Sequence, residues 1–438
     1  MKNIIFISIL IFSYSSFAQT QKYSLEEIIH LGILNSKTLK ISDAKLLTAT
    51  AKVTEINSQR FPQLKFNASY MRLSDVPPFE ISMPFLPNPI RIQDAILNSY
   101  NFKLSLQQPI FTGFKLSSLN SAANYNLEST ELEYSKEINE EAFRIISSFW
   151  NVYKIENANN IVDENLQSLE AHIKDSRNFL ENDLITKNDL LKIEVQYSSV
   201  QLKKIEVDNS LQIAIAMLNK TIGNEISNKI EIKTQEIIFS KTELDFNELL
   251  KEAKSNRFEI QALSKKLLAS EEQYSASKSG WYPSIFLISD FYYSRPNQRR
   301  FPQKDQFDDT WDVGISLSWD IWNWGYNSSQ SQQAESNLIQ LETSKAQIED
   351  AIEIEVFNTY LQLQAAIKIV ELNKLTLTQT EENYRITNDK YLVQLVNATE
   401  LIDAETSLYS AKTELLNSLI DYELAKIKLD KVVGKKIY

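Results

Sequence analysis

The sequence predicts a mostly α-helical protein with a small β part. Helix breakers are confined to two regions, because the ten prolines cluster at positions 62–109 and 283–302. Beyond these clusters, apolar residues recur every three or four positions, which is the period of an amphipathic helix. Within the clusters, apolar and polar residues alternate, which is the period of a strand. We therefore expect long helices with two short β inserts.

The helices are expected to be unusually long, since no proline interrupts the interval that follows either cluster. A helix over residues 115–180 would measure about 100 Å at ~1.5 Å per residue. A helix of this length cannot bury an apolar stripe against itself, so we expect coiled-coil-like packing beside other helices. The stripe includes Leu116, Leu119, Ala123, Ile138, Ala142, Ile145 and Phe149.

Four segments in the proline regions alternate as strands do, and we expect strands of about ten residues, the length that crosses a bilayer when tilted. An ordinary half-buried sheet has the same alternation, and the pattern alone leaves both interpretations open. Four strands cannot close a barrel, so the membrane interpretation needs several chains. The segments are Gln63–Leu73, Phe102–Gln107, Ile285–Tyr293 and Trp311–Ile321.

Aromatic residues accumulate around the last of these strands. Trp319, Trp322 and Trp324 stand at its end, followed by Tyr326, and Trp311 begins it. Tryptophan and tyrosine are enriched where a membrane meets water. The four tryptophans are therefore candidate membrane-interface residues, and the alternative is an aromatic core in a soluble sheet.

The first 18 residues resemble a secretory signal peptide. Lys2 gives a positive start, Ile4–Phe12 form an apolar core, and Ser16 and Ala18 are small residues at the two positions that a signal peptidase reads. We expect cleavage after Ala18. A short membrane anchor is the alternative, although the apolar run is shorter than the ~20 residues that a spanning helix needs.

Composition argues against several functional classes. The chain has no cysteine and only two histidines, His30 and His172, so disulfides, histidine-rich zinc sites and serine–histidine–aspartate catalysis are not expected. Its net charge of −11 argues against a nucleic-acid partner. Glycine-rich phosphate loops are missing as well. We expect no enzyme activity, no cofactor and no metal.

The two halves of the chain follow the same plan. Residues 19–223 and 224–438 each predict a helix, two strands, a long helix and a further helix. Several matches keep a constant shift of 211 residues, including Asp189-Leu190-Leu191 with Glu400-Leu401-Ile402, and Gly223 with Gly434. We interpret the halves as two structural repeats that follow the signal peptide.

Taken together, these features resemble the TolC family of outer-membrane efflux channels. The resemblance covers the mature chain in both repeats, and its motifs include Phe61-Pro62, Gln108-Pro109-Ile110-Phe111-x-Gly113 and Asp403-Ala404-x-Thr406-x-Leu408-Tyr409. It implies a homotrimer in the outer membrane, with four strands per protomer in one twelve-stranded β-barrel and coiled-coil-like helices extending into the periplasm.

The same resemblance implies the function of a passive exit duct for efflux or type I secretion. Its partners would be a periplasmic adaptor, an inner-membrane transporter driven by protons or by ATP, and outer-membrane lipid. The alternative is a periplasmic coiled-coil scaffold or adaptor protein, whose strands would form a soluble domain.

The candidate functional residues lie where the long helices turn, near residues 182–186 and 393–398. Glu400 and Asp403 are three residues apart, so both carboxylates share one face of a helix just past its start. Three copies would set six carboxylates around one axis, a ring that attracts cations. A solvated helix start is the alternative. The family resemblance favours an acidic entrance ring, adds Asp189 from the first repeat, and assigns Tyr391 to holding the entrance shut.

The turns also depart from the family pattern. Asp183 and Gln394 stand where the family has a turn glycine, and Val396 stands where an arginine often holds the closed tip. The closing contacts of this tip are therefore expected to differ.

Other polar or rigid positions have weaker claims. We expect His30 and His172 to be surface or inter-helix residues. Arg295, Arg299 and Arg300 fall in the loop between the third and fourth strands, where they would contact lipid phosphates or remain solvated. The stiff, apolar run Pro84–Pro89 in the first loop is a candidate cover for the barrel mouth.

Overall fold

The computed structural model describes residues 21–233, 237–241 and 244–438, so the predicted signal peptide at residues 1–18 lies outside the described residues. Most of these residues are helical, as predicted. Among them, no helix combines the length and the apolarity needed to cross a bilayer. Helices α1 to α8 are Leu25–Asn35, Lys37–Ser58, Lys115–Glu181, Lys187–Thr221, Phe246–Asn256, Phe258–Ser277, Tyr326–Leu392 and Ala398–Val432. Strands β1 to β8 are Gln21–Tyr23, Gln63–Arg72, Phe79–Ile81, Ile90–Gln93, Asn98–Thr112, Ile230–Ile232, Ser284–Arg295 and Asp308–Ser318.

The chain divides into two compact units, each built from both halves of the sequence. Among the described residues, the helical unit comprises those up to Ile41, Ser135–Arg257 and Ala351–Tyr438. The sheet unit comprises Ser42–Tyr134 and Phe258–Asp350. These units cut across the two proposed repeats, so the division at residue 223 stays a prediction about duplication.

Helix bounds recur along the chain with a constant shift of 211 residues. Helices α3 and α7 have 67 residues each, and Lys115 and Tyr326, where they begin, are 211 positions apart. Helices α4 and α8 have 35 residues each and begin at Lys187 and Ala398, again 211 apart. Backbone conformation repeats too, because all eight described residues with positive φ fall into pairs at this shift. The pairs are Gly113 with Trp324, Phe114 with Gly325, Asp183 with Gln394, and Gly223 with Gly434.

The sheet unit contains four antiparallel strands in the order β2-β5-β7-β8, so β2 and β8 are its edges. Register places Phe66, Leu104, Phe291 and Trp311 in one row across the sheet. Every side chain of this row is exposed, from 39% at Leu104 to 69% at Trp311. The opposite face is polar, and there Lys103 forms an ion pair with Asp290 at 3.0 Å.

The fourth strand ends earlier than the sequence suggests. Alternation predicts a strand over Trp311–Ile321, whereas β8 runs over Asp308–Ser318. Trp319 follows the strand directly, and Ile321, Trp322 and Trp324 lie in the connection to α7. The predicted end of the strand was wrong because the last apolar residues belong to an exposed aromatic connection and not to the hydrogen-bonded sheet.

The helical unit buries its main core among four helices. Ile28 of α1, Phe149 and Trp150 of α3, Leu218 of α4 and Ile420 of α8 are all nearly inaccessible to water. Strands β1 and β6 form a short parallel pair in which Tyr23 lies opposite Ile232. The partly buried Tyr23 and the buried Ile232 extend this core. The core fixes the helices at one end of the unit, and the candidate site lies at the end where the helices turn.

Candidate functional site

The helices of the helical unit turn at two equivalent points. Helix α3 ends at Glu181 and α4 begins at Lys187, while α7 ends at Leu392 and α8 begins at Ala398. These bounds confirm the turns predicted from the sequence. We refer to residues 182–186 and 393–397, with the adjoining helix ends, as the tip.

Both turns close with the same backbone hydrogen bonds. The Leu184 N–H donates to the carbonyl of Phe179 at 2.9 Å, and the Asp183 N–H donates to that of Leu180 at 3.0 Å. In the second turn, Leu395 donates to Lys390 at 2.9 Å and Gln394 to Tyr391 at 3.0 Å. This is the Schellman pattern, which requires a left-handed residue at the position after the helix.

Asp183 and Gln394 occupy that left-handed position, with φ of 54° and 63°. Glycine is the usual residue there, because a Cβ in this conformation costs about 1–2 kcal/mol. The glycine signature of the turn is therefore missing from the sequence, yet the glycine conformation is kept. The tip stores a modest conformational strain in each turn.

Asp189 has a structural task at the start of α4. Its carboxylate accepts from the Thr186 hydroxyl at 2.7 Å and from the Thr186 N–H at 3.3 Å, and the Thr186 hydroxyl accepts from the Asp189 N–H. This reciprocal pair is a capping box, which satisfies backbone donors that a helix start leaves free. The negative charge of Asp189 thus sits at the positive end of α4.

Glu400 and Asp403 are exposed on the first two turns of α8. The Glu400 carboxylate accepts from the Asn397 side chain at 3.0 Å, and Asn397 in turn caps the helix through the Thr399 and Glu400 N–H groups. Their neighbours Leu401 and Ala404 are buried on the packed face of the helix. Both carboxylates therefore point away from the protomer core. At this exposed position their charge can act on solutes or on another chain.

Tyr391 is buried in the protomer, with 1% of its surface exposed. Its hydroxyl and that of Ser176 on α3 form a hydrogen bond of 2.7 Å, and its ring meets the edge of Phe179 with centroids 6.0 Å apart. Burial raises the pKa of the Tyr391 hydroxyl, so it stays protonated. Tyr391 joins α7 to α3 immediately behind the tip.

Val396 adds apolar contacts at the same place. It packs against the buried cluster that includes Tyr391, Leu401 and Ile193. An arginine could form polar bonds across the tip, whereas valine supplies only buried surface. Closure of this tip within one protomer therefore depends on packing and on hydroxyl contacts.

Polar contacts at the rim join the two helical hairpins of the tip. The Lys192 ammonium of α4 donates to the Thr399 hydroxyl of α8 at 2.9 Å, and Gln196 donates to Thr406 at 3.4 Å. Both pairs are exposed, so each stabilises the tip by about 1 kcal/mol at most. The buried contacts dominate the strength of the tip.

One buried polar group was missed by the sequence analysis. Glu405 of α8 has 2% of its surface exposed, and its Oε2 lies 3.8 Å from the Nε2 of His172 on α3. Burial raises the pKa of Glu405 to about 7. The only sequence signal was a glutamate on the apolar face of α8, one position after Ala404 and three before Leu408. His30 is exposed and His172 is buried between helices, and both fit the expected surface or inter-helix positions.

The sheet unit carries the candidate membrane-interface aromatics. Trp311 stands in the apolar row of the sheet, and Trp319, Trp322 and Trp324 are at least half exposed beyond the end of β8. Trp311 and Trp319 are eight residues apart, or about 26 Å along an extended strand. That separation is close to the roughly 25 Å apolar band of outer-membrane barrels.

Further exposed aromatics lie at the same strand ends and were not selected from the sequence. Phe114 follows β5 and packs edge-to-face on Tyr282, which precedes β7, with ring centroids 5.6 Å apart. Trp281 beside them is half exposed. Their positions next to Gly113 and Pro283 could have identified them from the sequence, because the ends of membrane strands commonly carry aromatic residues.

The arginines at the end of β7 and in the loop after it pair with carboxylates of that loop and of β8. Arg295 binds Asp305 through two hydrogen bonds of 2.7 and 2.9 Å, Arg300 binds Asp308 at 3.1 Å, and Arg299 binds Asp312. These carboxylates neutralise the arginine charges that would otherwise be available to lipid phosphates. The solvated-loop interpretation therefore explains the arginines without lipid.

The run Pro84–Pro89 forms the end of the hairpin between β3 and β4. This hairpin contacts the loop after β7, since Phe79 packs edge-to-face on Phe301 and the Gln93 side chain donates to Gln303 at 3.0 Å. Phe85 at its end is 80% exposed. Covering of a barrel mouth by this run stays a prediction.

Comparison with known proteins decides the family. Residues 28–224 and 249–435 match the family described as outer membrane efflux protein, which is well over half of the chain. The chain belongs to this family. No group of three or more His, Asp or Glu side chains in the described residues is arranged to hold a metal ion.

The chain resembles curated relatives in sequence and solved structures in fold. The chain is 23% identical to the outer membrane protein TolC of Escherichia coli K12, over 98% of this chain and 85% of that one. It superimposes on the crystal structure of CusC with a TM-score of 0.78 at 17% identity, covering 94% of this chain and 92% of that one. For VceC of Vibrio cholerae the TM-score is 0.76 at 17% identity, covering 94% and 97%.

Membership of the efflux family establishes the location of the protein. It is an outer-membrane protein whose helical part extends into the periplasm, and it has the fold of an efflux channel. The predicted fold class and localisation are confirmed. The arrangement of the acidic tip residues and of the interface tryptophans as functional groups stays a prediction.

Proposed function

We propose that the chain is the outer-membrane exit duct of a tripartite efflux or type I secretion system. In this proposal three copies join edge to edge, β2 of one sheet beside β8 of the next, and complete a twelve-stranded barrel. A periplasmic adaptor and an inner-membrane transporter deliver the cargo and supply the energy. The duct itself is a passive conduit and carries out no chemistry.

The open sheet is the observation that carries this proposal. Its two edge strands leave backbone donors and acceptors unpaired in a single chain, and a membrane tolerates such groups only when a barrel closes. The row Phe66, Leu104, Phe291 and Trp311 exposes apolar surface on all four strands. Exposure of this kind is costly in water and favourable in lipid.

A planar bilayer tests the duct directly. We expect the purified mature protein to form pores, to migrate as a trimer after cross-linking, and to stay in membranes washed with carbonate. A periplasmic scaffold or adaptor, the alternative interpretation, would be released by carbonate and would form no pore. Co-purification after cross-linking in cells would then identify the adaptor.

The acidic ring is the proposed selectivity element of the periplasmic entrance. Glu400 and Asp403 are exposed on one side of α8, and threefold repetition would bring six carboxylates around the axis, with Asp189 contributing from the first repeat. Tyr391 would hold the entrance narrow by fixing α7 to α3. Neutralising the ring removes the attraction for cations but leaves the buried contacts in place.

Reversal potentials in a salt gradient test the ring. We expect the E400Q/D403N double variant to lose most of its preference for cations and its block by multivalent cations. A variant with E414Q, an exposed carboxylate further along α8, is the matched control and should keep both properties. Unchanged selectivity in E400Q/D403N would refute the ring assignment while leaving the duct intact.

A further inference from the structure

A polar cluster with two buried members, His172 and Glu405, lies behind the tip, on the three helices α3, α7 and α8. We call it the buried acid cluster and define it as Ser168 and His172 of α3, Tyr384 of α7, and Glu405 and Tyr409 of α8. His172 Nε2 lies 3.1 Å from the Tyr384 hydroxyl, which lies 3.1 Å from the Ser168 hydroxyl. Glu405 is seven residues from the start of α8, about 11 Å along the helix.

Glu405 is the anomalous member of this cluster. Among the described residues, neither of its carboxylate oxygens has a hydrogen-bond partner, although its side chain is almost wholly buried. Ser168 lowers its pKa by less than burial raises it, but the 3.1 Å hydrogen bond of Ser168 joins it to Tyr384. A bare carboxylate here would lack both water and hydrogen bonds, which is costly in a protein interior.

His172 does not supply the missing charge. The 3.8 Å between its Nε2 and Glu405 Oε2 exceeds a hydrogen bond. Burial lowers the pKa of His172, while the nearby Asp175 on the same helix raises it by a smaller amount. Desolvation thus favours the neutral form of both members of the pair.

Charged groups on the neighbouring helices pair with one another, and burial is the main cause of the raised pKa of Glu405. On α8, Lys412 pairs with Glu164 of α3 at 2.7 Å, so the Lys412 charge is neutralised at the surface. On α4, Tyr197 donates to Glu170 of α3 at 2.6 Å. On α7, Tyr384 is held protonated because burial raises its pKa, and burial likewise raises the pKa of Tyr409 to about 12. Glu405 is the member of the cluster that titrates near neutrality.

We propose that Glu405 and His172 form a proton-sensitive contact that sets how tightly α8 packs on α3 and α7 behind the tip. The helices pack closely while Glu405 keeps its proton. When the proton leaves, the buried charge favours separation of α8 and entry of water. Acidic surroundings therefore tighten this end of the helical unit, and neutral or basic surroundings loosen it.

The direction follows from linkage between the packed and open forms. An exposed Glu405 in the open form would titrate at about 4.3, whereas burial raises its pKa to about 7 in the packed form. The packed form therefore binds more protons between these values. Its advantage declines as the pH rises from about 4.3 to about 7 and changes little above that range.

Hydrogen exchange of the full mature protein in detergent tests this contact. Exchange of peptides over residues 165–176 and 400–410 is followed by mass spectrometry at pH 5.5, 7 and 8.5 and corrected for intrinsic exchange chemistry. For the wild type we expect protection to fall at least tenfold between pH 5.5 and 8.5. The E405Q variant should keep its low-pH protection throughout, and E405M replaces it if glutamine prevents folding.

The control variant is E414Q, which removes an exposed carboxylate from the same helix. It should respond to pH as the wild type does. An equal pH response in E405Q or E405M and the wild type, or no response in the wild type, would overturn the proposal.

The effect of this contact on passage through the tip rests on the proposed duct, but the exchange measurement does not. Pore conductance recorded over the same pH range separates the two. A protein that makes no pore and still shows the Glu405-dependent exchange would refute the duct and retain the contact. A conducting pore without that exchange response would do the reverse.

Discussion

The hydroxyl oxygens of Ser176 and Tyr391 lie 2.7 Å apart, in the buried seam between α3 and α7. The two residues are 215 positions apart in the chain, and neither exposes more than 1% of its surface. One hydroxyl must donate and the other accept, so each satisfies the other. The seam behind the tip is therefore closed by a specific polar contact within an apolar cluster.

Removing one partner of this bond should weaken the seam. We expect Tyr391→Phe to lower the free energy of unfolding by about 1–2 kcal/mol, because the Ser176 hydroxyl is left buried without its partner. Thermal unfolding in detergent measures the loss. The double variant Y391F/S176A should be less destabilised than the sum of the single variants, since it leaves no orphan hydroxyl. Additive losses would mean that the bond contributes nothing.

Tyr197→Phe is the matched control for this prediction. Its hydroxyl also bonds a residue of α3, Glu170 at 2.6 Å, but the acceptor is exposed and water can replace the lost donor. We expect a change below about 1 kcal/mol. A loss as large as that of Y391F would show that burial does not govern the tip contacts.

Relieving the left-handed residues should stabilise the turns. With φ of 54° and 63°, Asp183 and Gln394 carry a steric cost that glycine does not. We expect Asp183→Gly and Gln394→Gly each to raise the free energy of unfolding by about 0.5–1 kcal/mol, after the entropy that glycine adds to the unfolded chain is subtracted. Val393→Gly in the same turn, where φ is not positive, should destabilise. The opposite order of unfolding temperatures would contradict the strain.

The exposed face of the sheet should distinguish lipid from water. Ile315 in the middle of β8 is 72% exposed and shares a face with Trp311. We expect Ile315→Arg to cost about 2–4 kcal/mol in folding into lipid vesicles, the usual penalty for arginine near the middle of a bilayer. Urea titration of folding into vesicles measures it.

Ser316→Arg provides the control on the opposite face of the same strand. Because side chains alternate along a strand, arginine at this position faces the interior of the proposed barrel and stays hydrated. We expect it to fold into vesicles with a loss well below that of I315R. Equal losses would mean that neither face meets lipid, which would remove the observation behind the proposed duct.

Local sequence patterns were sufficient for the long helices and the tip turns. Breakers are absent throughout Lys115–Glu181 and Tyr326–Leu392, and the turns at 182–186 and 393–397 follow directly. The parallel pair β1–β6 was not predicted, since Gln21 and Ile230 are far apart in sequence and each strand has only three residues. Short strands carry too little alternation to be recognised.

The buried acid cluster was beyond the reach of local patterns for a related reason. A glutamate or a histidine among polar residues is normally solvated, and nothing near Glu405 in the sequence names its neighbours on other helices. Its burial results from the meeting of α3, α7 and α8, and the residues of α3 are more than 200 positions from those that they contact on α7 and α8. The alignment of Tyr391 with a closing residue came from the family resemblance and not from spacing.

The pH profile of stability follows from the raised pKa of Glu405. In the unfolded chain this carboxyl titrates at about 4.3, and in the folded protein at about 7. The folded state binds more protons in this interval, so the free energy of unfolding falls as the pH rises from about 4.3 to about 7, by up to roughly 4 kcal/mol, and then levels off. Unfolding temperatures of the wild type and of E405Q in the same detergent isolate this group, because all other carboxyls are common to both. The difference between the two should grow over that interval and stay constant above it. A constant difference across the whole interval would mean that Glu405 titrates alike in both states and that its burial carries no charge penalty.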